Sequence, residues 1–290
     1  MAKGSGKVGE RVTQVKASAD PLFVSSALAD RSSLVVEAAA QRLTAWLKAD
    51  QLEISLFTLA GALESAYRRL HEGGSVADPG CWGRLALLEA VAALHGRGRA
   101  GAAEAEAVAR LAIKTVQIEV VSFGPQDSGK GLRASAALLL SNLRPPGALL
   151  ELGLLLFDDA PNEAREGSRH KAPCRQAAAT AIGQLGDPAG AVLLAVRLQQ
   201  SQGEEPEVLA EAMDALVALA EPRTVELLTP WLSVTDPYLV ATAATGIAAV
   251  GRAAAVPLLL AALEGAMREA KEPLVYALGS VRADEGREAL

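Results

Sequence analysis

The chain has few aromatic residues: three Trp, three Tyr and four Phe among 290 residues. That leaves few ring platforms of the kind on which single-strand binders stack bases. Cysteine is equally scarce. Cys81 and Cys174 each stand at the start of a predicted helix, in separate parts of the chain, and offer neither a disulfide framework nor a C-x-x-C metal site. Both read as free thiols of a reducing compartment. Histidine occurs three times. His170 and Cys174 are four apart and share a helix face, but two ligands fall short of the three or four that zinc takes, so no metal or cofactor is expected. His71 and His95 read as helix-end residues, where a cation suits the helix dipole. Basic charge is in deficit, with 28 Lys/Arg against 34 Asp/Glu and a net charge of -6. A nucleic-acid binder carries a basic footprint, so nucleic acid is not an expected partner. The deficit is uneven: residues 1–145 hold 17 basic against 14 acidic, a net of +3, and residues 146–290 hold 11 against 20, a net of -9. A basic partner would be drawn to the second half. No run of 18 apolar residues is free of a break or a charge, so no membrane span is expected. The N-terminal MAKGSGKVGERVTQ is polar with no apolar stretch behind it, which argues against a signal peptide. The expected location is the cytoplasm.

Half of the residues are hydrophobic, and alanine is abundant. Alanine combines the best helix propensity with the smallest helix-forming side chain, a composition for closely packed helices. The decisive feature is internal repetition. AIGQLGDPAGAVLL (181–194), ALVALAEPRTVELL (215–228), GIAAVGRAAAVPLL (246–259) and ALGSVRADEGREAL (277–290) align without gaps, with starts spaced by 34, 31 and 31 residues. LLSNLRPPGALLEL (139–152) joins them after an insertion, EAVAALHG (89–96) is an earlier copy, and VVEAAAQRLTAW (35–46) a faint first one. In each copy an apolar stripe of helical spacing, such as Ala178, Ala179, Ile182 and Leu185, ends at a Gly, Pro or Asp cluster. Gly accepts the left-handed C-terminal position, and Pro stops one helix and can open the next. A second apolar helix follows. Helix, tight turn, helix at this period is the pattern of an α-solenoid, in which no unit buries its stripe alone and neighbours must stack. The expected fold is all-α, with about seven stacked antiparallel helix pairs. The expected organisation is a flexible polar tail over 1–19, divergent helical repeats over 20–127, and regular repeats over 128–290 with the last unit incomplete, since Leu290 falls in mid-helix. Long second helices are expected over 51–72 and 101–121.

The stretch Arg175-x-x-Ala178-Ala179-x-x-Ile182-Gly183-x-Leu185-Gly186-Asp187-Pro188 resembles HEAT-like repeats, especially the short bacterial and bilin-lyase variety. The resemblance is stronger over 128–290 than over 20–127. Leu209 and Val240 stand where the Arg would be, Lys271 replaces it, and Pro273 is expected to bend its helix or shift its start. Arg84, Arg133 and Arg175 share one column. The resemblance implies that each pairs with an acidic loop residue of a neighbouring unit as a structural ladder, with Asp78 and Asp127 as partners.

One segment imitates a different chemistry. VVSFGPQDSGKGLR holds Gly124, four residues, Gly129 and Lys130, most of a P-loop, behind the apolar Ile118, Val120 and Val121. A P-loop needs Ser or Thr after the Lys to hold Mg²⁺, and Gly131 stands there. It also needs a strand within a parallel sheet, and the chain has no other βα unit. In the repeat alignment Arg133 falls on Arg175, Ala137 on Ala179, Leu140 on Ile182 and Leu143 on Leu185. The segment therefore reads as the start of a repeat helix, with Asp127 or Ser128 as its N-cap. The preceding Val108 to Val121 reads as a continuing helical stripe. Leu154 to Asp158, which imitates a second nucleotide motif, reads as the end of a second helix.

No Ser/His/Asp or Cys/His spacing matches a catalytic motif, so no catalytic residue is named. The run Glu204, Glu205, Glu207, Glu211, Asp214 reads as a solvated helix start. Three connections of one type are long: 122–131, 158–173 and 199–206. Insertions on one edge of a solenoid often mark a binding rim. Lys130, Arg165, Arg169, His170 and Lys171 would lie along it. The expected function is a non-enzymatic scaffold that binds another protein through its concave face and loop rim. The resemblance also admits a bilin-lyase-like enzyme or chromophore chaperone, and a HEAT-like DNA-binding protein of the alkylpurine glycosylase kind.

Overall fold

The structure is a computed structural model that describes residues 3–52, 54–98, 100–122, 124–158 and 172–281. Its contacts divide the chain into two compact units, Met1–Pro146 and Gly147–Leu290. The first unit includes the helix that follows residue 128, which packs on the helices before it.

In the first unit, Val8, Val12 and Val15 make an apolar stripe on α1 (Lys3–Ala17), and Val15 is buried. The segment expected as a flexible tail is therefore helical. Asp20 caps α2 (Pro21–Ser26) by accepting from the Leu22 amide at 2.9 Å. α3 (Ser33–Lys48) supports α1 and lies against α5 (Trp82–Gly96). α3 buries Ala38, Ala39 and Ala40, and α5 buries Ala86 and Ala90. Small side chains of this kind let the backbones approach closely. α4 (Leu56–Ala77), capped by Ser55 and kinked at Gly74, packs on α5 and on α6 (Ala102–Ala112). His71 lies in the last turn of α4 before the kink at Gly74, stacked on buried Tyr67 with ring centroids 6.2 Å apart.

The expected helix over 101–121 stops at Ala112. Ile118–Val121 is strand β1, paired antiparallel with β2 (Gly124–Asp127) in the register Ile118 to Asp127 and Val121 to Gly124. The β-branched run Thr115, Val116, Ile118, Val120, Val121 fits a pleated strand better than a helix. Among the described residues this hairpin is the only sheet in an all-α fold. It leads into α7 (Lys130–Leu143), which packs on α5 and α6.

In the second unit helices pack in sequential pairs. α8 (Ala148–Leu156) packs on α9 (Pro173–Leu185), and α10 (Gly190–Gln199) on α11 (Pro206–Ala218). α12 (Thr224–Leu228) is short. Pro230 follows it, and the chain continues as a 3-10 turn, Thr229–Ser233. α13 (Pro237–Gly251), capped by Asp236, is followed by α14 (Ala255–Gly265) and α15 (Arg268–Ser280), which runs through Pro273. The first helices α9, α11, α13 and α15 stack in order. Gly186 ends α9 at φ 73°, a left-handed value that Gly takes without strain. Pro237–Gly265 is long and apolar enough by composition to cross a membrane, its apolar 18-residue window having a mean hydropathy of 1.9, but the charged Arg252 interrupts it. It is not one helix: Arg252, at φ 47° and ψ -138°, separates α13 from α14, and both pack on α15. Residues 282–290, which bear on whether the last repeat is incomplete, lie outside the described residues.

Candidate functional site

The polar residues of the first unit converge where the hairpin meets the loop before α5. Asp78 is fully buried. One carboxylate oxygen accepts from the Gly83 amide at 2.9 Å, and the other from the Arg84 amide and Nε, each at 3.0 Å. The same carboxylate thus caps the first turn of α5 and neutralises Arg84, which is 1% exposed. The Arg84 guanidinium also donates to the Gln117 side-chain oxygen and to Cys81 Sγ at 3.1 Å. Gln117 returns its amide to the Asp78 carbonyl at 3.1 Å, closing a circuit between the α5 loop and the start of the hairpin.

Asp127, opposite the start of β1 at the open end of the hairpin, repeats this arrangement. It accepts from the Gln117 amide at 3.1 Å, the Gly129 amide at 2.8 Å and Arg133 Nη1 at 2.6 Å. Arg133 also donates to the Thr115 carbonyl at 2.8 Å. Between them, Glu119 accepts from the Gly80 amide at 2.9 Å. The Ser128 hydroxyl and the Gly80 amide hold the Glu119 carboxyl below its usual range. Burial pushes the Cys81 thiol up, so it stays protonated at neutral pH and is a poor nucleophile. Burial, then the Arg84 charge, pushes His71 down.

The two sides of β1 differ in chemistry. Gln117 and Glu119 reach inward to the network, whereas Val116, Ile118 and Val120 are exposed, Val120 by 88%. Register adds a second property. The Ser128 amide donates to the Gln117 carbonyl at 2.9 Å, so residues 117, 119 and 121 form the hydrogen-bonded pairs with β2. The backbone groups of Ile118 and Val120 therefore point away from β2, toward the open edge of the hairpin.

In the second unit the corresponding carboxylate is Glu204, with a side chain 1% exposed. It bridges Arg175 Nη2 at 2.9 Å and Arg197 Nη2 at 2.6 Å. The Arg197 guanidinium lies 5.6 Å from the Phe157 ring centroid. Glu204 is thus not part of a solvated helix start, because two guanidinium groups draw it under the loop. Glu211 of the same run accepts from Thr180 Oγ1 at 2.7 Å.

The structure gives all three column arginines a carboxylate, but not in one way. Asp78 and Asp127 sit six residues ahead of their own Arg, while Glu204 comes from the connection after α10. Gln117 and Arg197 have no sequence motif that would single them out. Lys130 is half-buried and opens α7. Arg165, Arg169, His170 and Lys171 lie outside the described residues. The P-loop imitation resolves into a strand and a turn: Gly124–Asp127 is paired to β1, and the Asp127 carboxylate takes the Gly129 amide that a phosphate would need. Among the described residues no group of three or more His, Cys, Asp or Glu is placed to hold a metal ion.

No family model matches the chain, and no curated protein matches it. A solved structure of human deoxyhypusine hydroxylase in complex with glycerol is similar to it at 16% identity, over 93% of this chain and 88% of that one, with a TM-score of 0.36.

Proposed function

We propose that the chain is a non-enzymatic scaffold that holds another protein through the rim of its long inter-repeat connections. The observation that carries this reading is the hairpin. Its inner side is fixed by buried ion pairs and hydrogen bonds, while its outer side presents Val116, Ile118 and Val120 and an open strand edge. A rigid base under an exposed apolar strand suits capture of a partner segment, since little ordering entropy is left to lose on binding. In the second unit the connection 199–206 is likewise fixed, by Glu204 on Arg175 and Arg197.

The test is capture of partner protein from cell extract by the tagged chain. The double variant Ile118→Asp/Val120→Asp is expected to lose captured protein at an unchanged melting temperature, and deletion of 158–171 to reduce it further. A captured set that is the same for wild type and both altered chains would contradict the reading.

A further inference from the structure

The second unit contains a groove of about 460 Å³ between α10 and the 3-10 turn that follows α12. Its origin is legible in the chain. α10 and α14 run for 10 and 11 residues, but α12 runs for five. Pro230 has no amide hydrogen to continue the helical ladder, so the chain tightens into the 3-10 turn and leaves the flank of α10 uncovered. Leu198, Leu227 and Val234 line the groove, and Trp231 closes one side, its ring half-buried.

One carboxylate and one guanidinium line this apolar floor, Glu226 and Arg223. Glu226 lines the groove with a side chain 67% exposed, and its partner is Arg223 three residues away, itself 64% exposed. An exposed pair of this kind is worth little and opens readily. Gln199 and Ser201 also line the groove, so the last turn of α10 turns its negative dipole end toward it. Arg197 in that turn is committed to Glu204 and the Gln200 carbonyl. The residues from 146 onward hold 20 acidic against 11 basic side chains, a net of -9 that favours a cation at long range. An indole beside a carboxylate is suited to a guanidinium, which stacks on the ring, ion-pairs at its edge and lays its methylene stem on apolar surface.

We infer that this groove takes an arginine side chain of a partner protein segment, with the guanidinium over Trp231 and against Glu226 and the stem on Leu198 and Leu227. The inference rests on the scaffold reading and names the chemistry of a contact on a surface other than the hairpin. Arg223 competes for the same carboxylate, so the partner arginine displaces it from Glu226.

The experiment is a fluorescence-anisotropy titration of the full chain at low salt. The probe is a fluorescein-labelled nonapeptide of Gly, Ser and Leu with two central arginines, and the control is the same peptide with glutamates in their place. Saturable binding of the arginine peptide below about 1 mM is expected, with the glutamate peptide at least about tenfold weaker. Trp231→Ala and Glu226→Gln should each weaken the arginine peptide by about tenfold at unchanged melting temperature. Arg223→Ala should leave binding as tight or tighten it. Equal binding of the two peptides, no binding by wild type, or folded Trp231→Ala and Glu226→Gln chains that bind like wild type would each overturn the assignment. The hairpin variant Ile118→Asp/Val120→Asp separates the two readings. It should bind the arginine peptide normally while losing partner capture, so failure of the titration alone removes the groove, and unchanged capture removes the rim.

Discussion

Arg84 shows how much a single residue determines. Its charge is buried and is matched by one carboxylate, so removing it leaves Asp78 ionised and buried without its counter-charge. Arg84→Met is expected to destabilise the chain by about 3–5 kcal/mol in urea unfolding, the usual cost of breaking one side of a buried pair. Arg84→Lys should fall between the two, because an ammonium cannot reproduce the fork that reaches Asp78, Gln117 and Cys81 together. His71 makes the first unit sensitive to acid. Its folded-state pKa lies below the unfolded value because burial and the nearby Arg84 disfavour its cation. The unfolded chain then binds the extra proton first, so this stability is complete above about pH 6.5 and is lost as the pH falls from there toward the folded value. Thermal melts should show a drop between pH 7.5 and 5.5 that His71→Phe flattens. The Asp-x5-Arg spacing of Asp78 to Arg84 and Asp127 to Arg133 is legible in the sequence itself. The role of Glu204 is not, because its partners Arg175 and Arg197 lie on two other helices and only the fold joins them.

Among the elements, α9 and α11 meet at their backbones. A Cβ built on Gly183 would stand 3.0 Å from the Ala215 Cα and 2.9 Å from its Cβ. Gly183→Ala gains about 1 kcal/mol of helix propensity. It also forces two tightly packed helices apart, at a cost of about 1–3 kcal/mol. The expected net effect is destabilisation, read as a lowered melting temperature; a gain would show that the helix contact yields freely. The hairpin belongs to the same scale. Helix periodicity carries the stripe of α6 on to Val121, because Leu111, Thr115 and Ile118 keep three- and four-residue spacing. The cluster of β-branched residues ending at Gly124-Pro125 is the signal against it. The first helices of the repeats are legible because each carries its own stripe and its own stop. The imitation P-loop makes a direct prediction. With Gly124–Asp127 held as a strand and Asp127 on the Gly129 amide, millimolar ATP with Mg²⁺ should leave the melting temperature unchanged in wild type and in Lys130→Ala alike. A shift of several degrees that is lost in Lys130→Ala would require a phosphate site there.

At the scale of the whole molecule, a repeat chain needs devices that fix its long connections, since helix packing alone does not hold loops. Here the device is a buried arginine with a loop carboxylate, used with Asp78 and Asp127 in the first unit and with Glu204 in the second. In the first unit these pairs hold the hairpin and the loop before α5 in one fixed arrangement. Native-state hydrogen exchange tests it most directly, through the amides of Gly80, Gly83, Gln117 and Ser128, each of which donates to a group in the network. In wild type they should exchange as slowly as the interior amides of α5. In Arg84→Met the amides of Gly80 and Gln117 should accelerate on the order of a hundredfold relative to those of α3. Rapid exchange of these amides in wild type, or rates unmoved by Arg84→Met in a folded chain, would contradict the account.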